Sequence, residues 1–305
     1  MLLALASLVS NPASASTVVH DHGRIQRDLD SGLIEPGDAL FLRFQQHFDP
    51  EGLPAEYAVE VAPGWSCGTG LVMQLIEDWD SLKPVQRARI DELLVPWGGT
   101  LTDPMGEPVG EPVGQPVGQP SASDDPAPPA ASETCFGSSF GDYELATEHF
   151  MIEYESGVSE SNARKLGEAM ELGYEVMVAE QGWTEVINDD NYLILVYVSN
   201  DNGSGAYTWY ESCRRGGWMP YIVTYENTLS GSWYKSMAPH EFNHAQQMSY
   251  GWTHEFWYWE ATATYIEELV VPSLNGWDSY IQYGYSEQPH ISMHASDQQD
   301  DAEFW

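Results

Sequence analysis

Basic residues are scarce in this chain. Its 305 residues include 11 lysines and arginines against 47 aspartates and glutamates, which gives a formal net charge of −36 at pH 7. Neither lysine nor arginine occurs after Lys235. Because such a field repels phosphate, the composition argues against nucleic acid and anionic membrane surfaces as partners. We interpret most of the acidic residues as solvated surface.

The chain also lacks an apolar run of the length that crosses a bilayer, about 20 residues. A short apolar run covers residues 2–9, and Ala13-Ser14-Ala15 follows it with the small-x-small pattern of a signal-peptidase site. The basic residues that usually precede such a run are missing. We predict a signal peptide over 1–15 with an atypical beginning, and a secreted, periplasmic or extracellular protein without a membrane span.

Cysteine is rare as well, with three in the chain: Cys67, Cys135 and Cys213. In an exported protein this number fits one disulfide and one remaining thiol. A low-complexity segment, described next, separates Cys67 from the other two. We therefore favour a disulfide between Cys135 and Cys213.

Residues 101–133 include the repeat GEPVGEPVGQPVGQP, which has no apolar face to bury. Its repeated prolines favour extended backbone, so we predict a linker. The linker divides residues 16–100, a helical prosegment or N-terminal domain, from a C-terminal domain at 134–305. The chain ends in DAEFW, which is typical of the opening of another helix, so a complete and a C-terminally truncated domain both stay open.

Apolar spacing predicts a helix over 36–48 and a second one beginning near Pro84, with Ser81 as its cap and an apolar stripe that includes Val85. In the C-terminal part, residues 148–156 alternate as in a half-buried strand. A helix follows from Ser159 to about 180, where Gly182 ends it.

Two further runs, 191–199 and 219–227, are typical of strands, and the first is apolar enough for the inside of a sheet. Residues 202–210 end in a pattern that fits either an edge strand for an extended peptide or a glycine-rich turn. The order of elements predicts an α+β fold, a small sheet with helices packed on one face.

The segment HEFNH places His240 and His244 one helical turn apart on the same face. Two imidazoles at this spacing can reach one tetrahedral zinc ion at about 2.0–2.1 Å, and Glu241 lies beside them. Zinc lowers the pKa of a bound water to about 7, so a neighbouring carboxylate can act as its base. A buried helix with two hydrogen-bonded histidines is the alternative.

Catalytic zinc takes three protein ligands. Glu260 opens the helical pattern EATATYIEEL, and the residues between it and His244, 245–259, allow the chain to turn back. The candidates for the third ligand are His254, His290, His294, Glu255 and Glu260.

HEFNHAQQ followed by WYWEATATYIEE resembles the gluzincin branch of the zincin metallopeptidases, and more narrowly its secreted bacterial members. The resemblance covers about residues 135–305. It implies a zincin-like catalytic domain, zinc ligands His240, His244 and Glu260, and Glu241 as general base and acid. It also implies a protein or peptide substrate.

The chain departs from this family at Thr264, where some members have an aspartate that orients a histidine ligand. Glu267 and Asn243 are the other candidates for this role. The family also stabilises the oxyanion with a tyrosine or histidine beyond the third ligand. Its candidates here are Tyr280, Tyr283, Tyr285, His290 and His294.

Two other functions stay open beside a secreted zinc endopeptidase. The chain could be a catalytically silent zincin that binds a partner or a carbohydrate surface and keeps the metal for structure, or an acidic adhesive module without metal. Cys67 is either a thiolate that caps zinc and keeps a zymogen latent or an ordinary cysteine. Residues 188–191, NDDN, are either a Ca²⁺ contact or a solvated turn. The sequence does not indicate an oligomeric state.

Overall fold

The structure is a computed structural model that describes residues 23–58, 67–94, 133–137, 139–201, 203, 205–251 and 256–275. The predicted signal peptide, nearly all of the predicted linker and the five oxyanion candidates lie outside these residues. So do His254 and Glu255. Among the described residues, no helix combines the length and the apolarity needed to cross a membrane.

Seven α-helices and one five-stranded sheet form the described part of the chain, a mixed architecture compatible with the α+β class. The helices are α1 Gly23–Asp30, α2 Pro36–Phe48, α3 Thr69–Glu77, α4 Pro84–Leu94, α5 Glu160–Tyr174, α6 Tyr234–Tyr250 and α7 Phe256–Val270. The strands are β1 Tyr143–Ala146, β2 Phe150–Tyr154, β3 Ile194–Ser199, β4 Ala206–Ser212 and β5 Trp218–Tyr225.

The sheet has the order β1-β2-β3-β5-β4. The pairs β2–β3 and β3–β5 are parallel, whereas β1 and β4 lie antiparallel at the two edges. Every residue of β2 and β3 is buried, as expected for parallel strands covered on both faces. The strands predicted over 191–199 and 219–227 are therefore present. The strand predicted near residue 150 is present as β2, but it is not half-buried, because β2 lies inside the sheet and even Glu153 is buried.

Two helices lie side by side on one face of the sheet. Phe242 of α6 packs against Phe150 of β2 and Tyr174 of α5, with ring centroids 5.5 and 5.6 Å apart. Gly173 of α5 permits this approach, because a Cβ there would already lie 3.4 Å from the Cα of Pro239. Helix α5 continues as a π-helical turn over Glu175–Glu180, and Gly182 follows with a φ of +70°. The predicted end of this helix is therefore confirmed.

Helices of the N-terminal part pack on the opposite face. The ring of Phe48 in α2 meets that of Tyr207 in β4 edge to face at 5.5 Å, and the Tyr207 hydroxyl donates to the Leu94 carbonyl of α4 at 2.5 Å. Side chains alternate along a strand, so Tyr207 projects from the face opposite to Thr208. Apolar side chains of α2, α3 and α4 belong to the same hydrophobic cluster as those of the sheet. The second face of the sheet is thus covered by the N-terminal part, which the prediction of helices on one face, made for the C-terminal domain, did not include.

Local details of the helices also differ from the sequence prediction. Ser81 does not cap α4; its hydroxyl donates to the Asp78 carbonyl, and the Gln86 side chain accepts from the backbone N–H of Lys83 instead. Val85 is 73% exposed, so it is not part of the buried stripe. The helix predicted over 36–48 coincides with α2. A disulfide joins Cys135 to Cys213, the pair favoured above.

Candidate metal centre

Helix α6 places two histidines at the centre of the candidate site. His240 and His244 are 1% and 0% exposed, and their imidazole rings are 4.8 Å apart between centroids. The helix begins at Tyr234, so Pro239 lies inside it rather than in its first turn. The face opposite to the histidines carries Phe242, which anchors α6 in the core. The helical spacing and this anchor hold both rings on the side facing α7.

Helix α7 adds a carboxylate between the two rings. The Oε2 atom of Glu260 lies 3.2 Å from Nε2 of His240, and its Oε1 atom lies 3.5 Å from Nε2 of His244. Glu260 itself is 5% exposed. The three ligands that the resemblance implies are therefore brought together around one point.

A fourth donor comes from the N-terminal part of the chain. The Sγ atom of Cys67 lies 3.3 Å from Nε2 of His244 and 3.5 Å from Oε1 of Glu260. One donor atom from each of Cys67, His240, His244 and Glu260 lies within 4.8 Å of the other three. Cys67 is the one cysteine outside the disulfide, and it is partly exposed.

These spacings fit a bound metal ion. Metal–ligand distances of about 2.0–2.3 Å in a tetrahedral zinc site place the donor atoms about 3.3–3.8 Å from each other. The Cys67, His244 and Glu260 contacts lie in this range, and the His240 contact is close to it. Imidazole, thiolate and carboxylate together are also a donor set that zinc accepts. The residues present therefore fit zinc.

Burial and neighbouring charges together set the electrostatics of the cluster. Burial, together with the carboxylates of Glu241 and Glu260, raises the pKa of the Cys67 thiol well above its ordinary value. Burial alone would lower the pKa of His240, but Cys67, Glu260 and Glu267 raise it well above its ordinary value. Burial raises the pKa of Glu260, yet the two histidines hold it well below. The cluster has more potential anions than cations, so it favours a divalent cation at its centre.

Each histidine is oriented by a hydrogen bond on its other nitrogen. Nδ1 of His240 lies 2.7 Å from Oε1 of Glu267, and Nδ1 of His244 lies 2.7 Å from Oε1 of Gln247. The Gln247 amide donates in turn to the Trp259 carbonyl at 3.1 Å, which connects α6 to the beginning of α7. Such partners turn Nε2 towards a metal and fix the ring.

Of the three residues considered for this orienting role, Glu267 makes the contact. It lies two helical turns after Glu260, on the same face of α7. Thr264 is half-buried, and within the described residues it makes no hydrogen bond to a ligand. Asn243 is buried, and its Oδ1 atom has no partner in the described part of the chain.

Glu241 projects from α6 towards the sheet. It is 0% exposed, and its Oε2 atom accepts hydrogen bonds from the hydroxyl groups of Thr208 at 2.7 Å and Thr69 at 3.2 Å. Its Oε1 atom is buried and has no partner among the described residues. A buried carboxylate oxygen without a donor is costly, unless a bound group such as water supplies one.

Three contributors to this site were not identified by the sequence analysis. Gln247 could have been found, because it lies three residues after His244 on the same helix face. Thr208 and Thr69 had no such local signal, since each meets Glu241 only through the packing of β4 and α3 against α6.

The turn at 188–191 does not gather a comparable set of ligands. Within the described residues, the one group of three or more potential ligands is the Cys67 cluster. At the turn, Asp189 accepts hydrogen bonds from the Val186 N–H and the Tyr174 hydroxyl. The structure therefore offers no support for a Ca²⁺ site at NDDN.

Comparisons with protein-family models, curated proteins and solved structures found no significant match. The function is therefore inferred from the geometry of this centre and from the sequence motif.

Proposed function

We propose that this protein is an exported, zinc-dependent peptidase of the gluzincin type, with a zincin-like catalytic domain. One observation carries the proposal: two histidines of H-E-x-x-H and a glutamate from the next helix converge, with the buried carboxylate of Glu241 beside them. The predicted signal peptide supports export, and the Cys135–Cys213 disulfide is typical of an oxidising compartment.

In this proposal His240, His244 and Glu260 hold the metal. Bound zinc supplies Lewis acidity, which polarises a substrate carbonyl and makes a water more acidic. Glu241 takes a proton from the attacking water through its free Oε1 atom and later delivers a proton to the leaving amine. Thr208 holds the Oε2 atom of Glu241 and so fixes the direction of the carboxylate. The nearby edge of β4 can hold an extended peptide by main-chain hydrogen bonds.

The test is metal content together with peptide hydrolysis in wild type and in a Glu241→Gln variant. We expect about one zinc per chain in both proteins and loss of hydrolysis in the variant, since glutamine cannot accept the proton. In case the intact chain is latent, the comparison is repeated in a Cys67→Ser background. Hydrolysis that survives Glu241→Gln at an unchanged rate would contradict the mechanism.

A specific observation favours a second candidate function, a binding protein with a structural metal. With Cys67, the cluster has four protein donors, and closed four-ligand sets are typical of structural zinc. In that case zinc removal would unfold the domain, and no variant at Cys67 would hydrolyse peptides. The buried Glu241 beside the metal favours the peptidase, because a structural site does not need a base.

A further inference from the structure

The segment of the N-terminal part that reaches the metal centre, residues 67–69, is held by specific contacts. Cys67 forms a parallel bridge with Ala206 at the free edge of β4, and the N–H of Gly68 donates to the Ala206 carbonyl at 2.7 Å. Gly68 has no room for a side chain, because a Cβ there would collide with the ring of Phe48. The segment is thus held between the edge of the sheet and α2.

Two residues after Cys67, Thr69 contacts Glu241, the proposed catalytic base. Its hydroxyl lies 3.2 Å from Oε2 of Glu241 and accepts a hydrogen bond from the backbone N–H of Thr208 at 2.9 Å. Thr69 is 0% exposed. In three consecutive residues the segment therefore contacts the metal ligands, the edge of β4 and the proposed base.

We propose that residues 67–69 are an intramolecular inhibitor, in which the Cys67 sulfur fills the fourth coordination position while the segment covers the edge of β4. The inference rests on the proposed peptidase function. A zinc site that hydrolyses peptides keeps one position open, and Cys67 closes it. An extended substrate needs the N–H and carbonyl groups of the strand edge, and Gly68 and Thr69 already bind Ala206 and Thr208 there.

Displacement of residues 67–69 from the metal centre then activates the enzyme without rebuilding the site. His240, His244 and Glu260 keep their positions on α6 and α7, and Thr208 still holds Glu241. The metal centre then loses the Cys67 sulfur donor, Glu241 loses the Thr69 hydroxyl contact, and the edge of β4 is no longer paired with Cys67. The inhibitor and the catalytic groups belong to one chain, so the block does not depend on protein concentration.

The test uses the full chain, loaded with Co²⁺ for spectroscopy and with Zn²⁺ for activity. Wild type is expected to show a thiolate-to-cobalt charge-transfer band, which Cys67→Ser loses while it still binds one metal ion. Peptide hydrolysis should rise about tenfold or more in Cys67→Ser, because the fourth position opens. Cys67→Ser/Glu241→Gln is the matched control and should abolish that activity.

A measurement on the wild type tests the proposal even if the variants do not fold. Cys67 is the one free thiol, so a thiol reagent reports on it alone. It should react slowly in the zinc-loaded chain and rapidly after chelation. Equal reactivity in both states, or no charge-transfer band with one Co²⁺ bound, would overturn the inhibitory role. A clear band with no hydrolysis in any Cys67 variant would instead overturn the proposed peptidase function and leave a four-ligand structural site.

Discussion

The Sγ atom of Cys67 lies 3.3 Å from Nε2 of His244, although 177 positions separate the two residues in the sequence. This contact joins the N-terminal part of the chain to the helix that carries the H-E-x-x-H motif. It turns a three-ligand cluster into a four-ligand one. The groups around this contact can be changed one at a time.

Glu267→Gln should weaken zinc binding. The Glu267 carboxylate lies 2.7 Å from Nδ1 of His240 and orients the ring, and loss of such a partner costs about 10–100-fold in metal affinity. Competition with a chromogenic chelator measures the change. Glu268→Gln, on the neighbouring position of α7, is the control and should bind as wild type does. Equal affinities for all three proteins would show that Glu267 does not support the ligand.

Gln247→Ala should also reduce metal affinity, by about 10-fold or more, because His244 loses the partner of its Nδ1 atom. Gln246→Ala provides the comparison on the same helix. Gln246 donates to the Thr184 carbonyl at 2.8 Å and does not contact a histidine, so its removal should lower thermal stability but not metal affinity. The reverse pattern would exclude Gln247 as the positioning residue. Chelator competition and thermal unfolding together give both quantities.

Metal affinity should fall as pH decreases, beginning above pH 6.5. Burial lowers the pKa of His240, but Cys67, Glu260 and Glu267 raise it further, so its net pKa lies well above the ordinary value. A proton on Nε2 competes with the metal. Affinity should therefore fall by at least about one log unit per pH unit below that raised pKa, because the Cys67 thiol, whose pKa is raised as well, must also lose its proton to bind the metal. Zinc titrations across the neutral range measure this, and constant affinity from pH 8 to about pH 6 would contradict it.

Asp189→Asn should stabilise the fold at alkaline pH. Burial, with help from Glu185, raises the pKa of Asp189 from 3.8 to about 7. A carboxyl whose folded pKa is raised destabilises the fold increasingly as pH rises from its unfolded value towards its folded value. The gain from the amide should therefore be absent below about pH 4, grow up to about pH 7 and stay constant above, at an order of a few kcal/mol.

Denaturant unfolding at several pH values measures this gain. An amide oxygen can still accept from the Val186 N–H and the Tyr174 hydroxyl, so the variant keeps these contacts. Asp190→Asn is the control, because Asp190 is exposed and its substitution should change stability little. A gain that is the same at pH 4 and pH 8 would show that Asp189 is ionised in the folded protein.

Local patterns predicted much of the fold. The helix over 36–48, the inner strand near 191–199 and the strand near 219–227 are present, because each has a strong apolar pattern over many residues. Segments with weaker or shorter apolar patterns were not predicted correctly. Strand β1 was not predicted, since its four residues are mostly exposed, and the burial of β2 on both faces depends on the strands at its sides.

For the candidate site too, local spacing predicted some residues, whereas others depend on how the helices pack. His240 and His244 lie on one helix face because helical geometry relates positions i and i+4, so their juxtaposition could be read directly from the chain. Glu260 needed the motif and an assumed return of the next helix. The partners of the histidine rings, Glu267 and Gln247, depend on how α7 packs against α6.

The amino-acid order alone thus determines a helix with two histidines and a glutamate, an inner strand and an acidic surface, since these follow from spacing and composition. Only the packed chain decides what surrounds them. Thr208 and Thr69 meet Glu241 because α6 crosses the edge of β4, and Cys67 reaches His244 because the chain before α3 pairs with that same edge. Contacts between such distant positions depend on the free energy of burying whole elements, which no local pattern expresses.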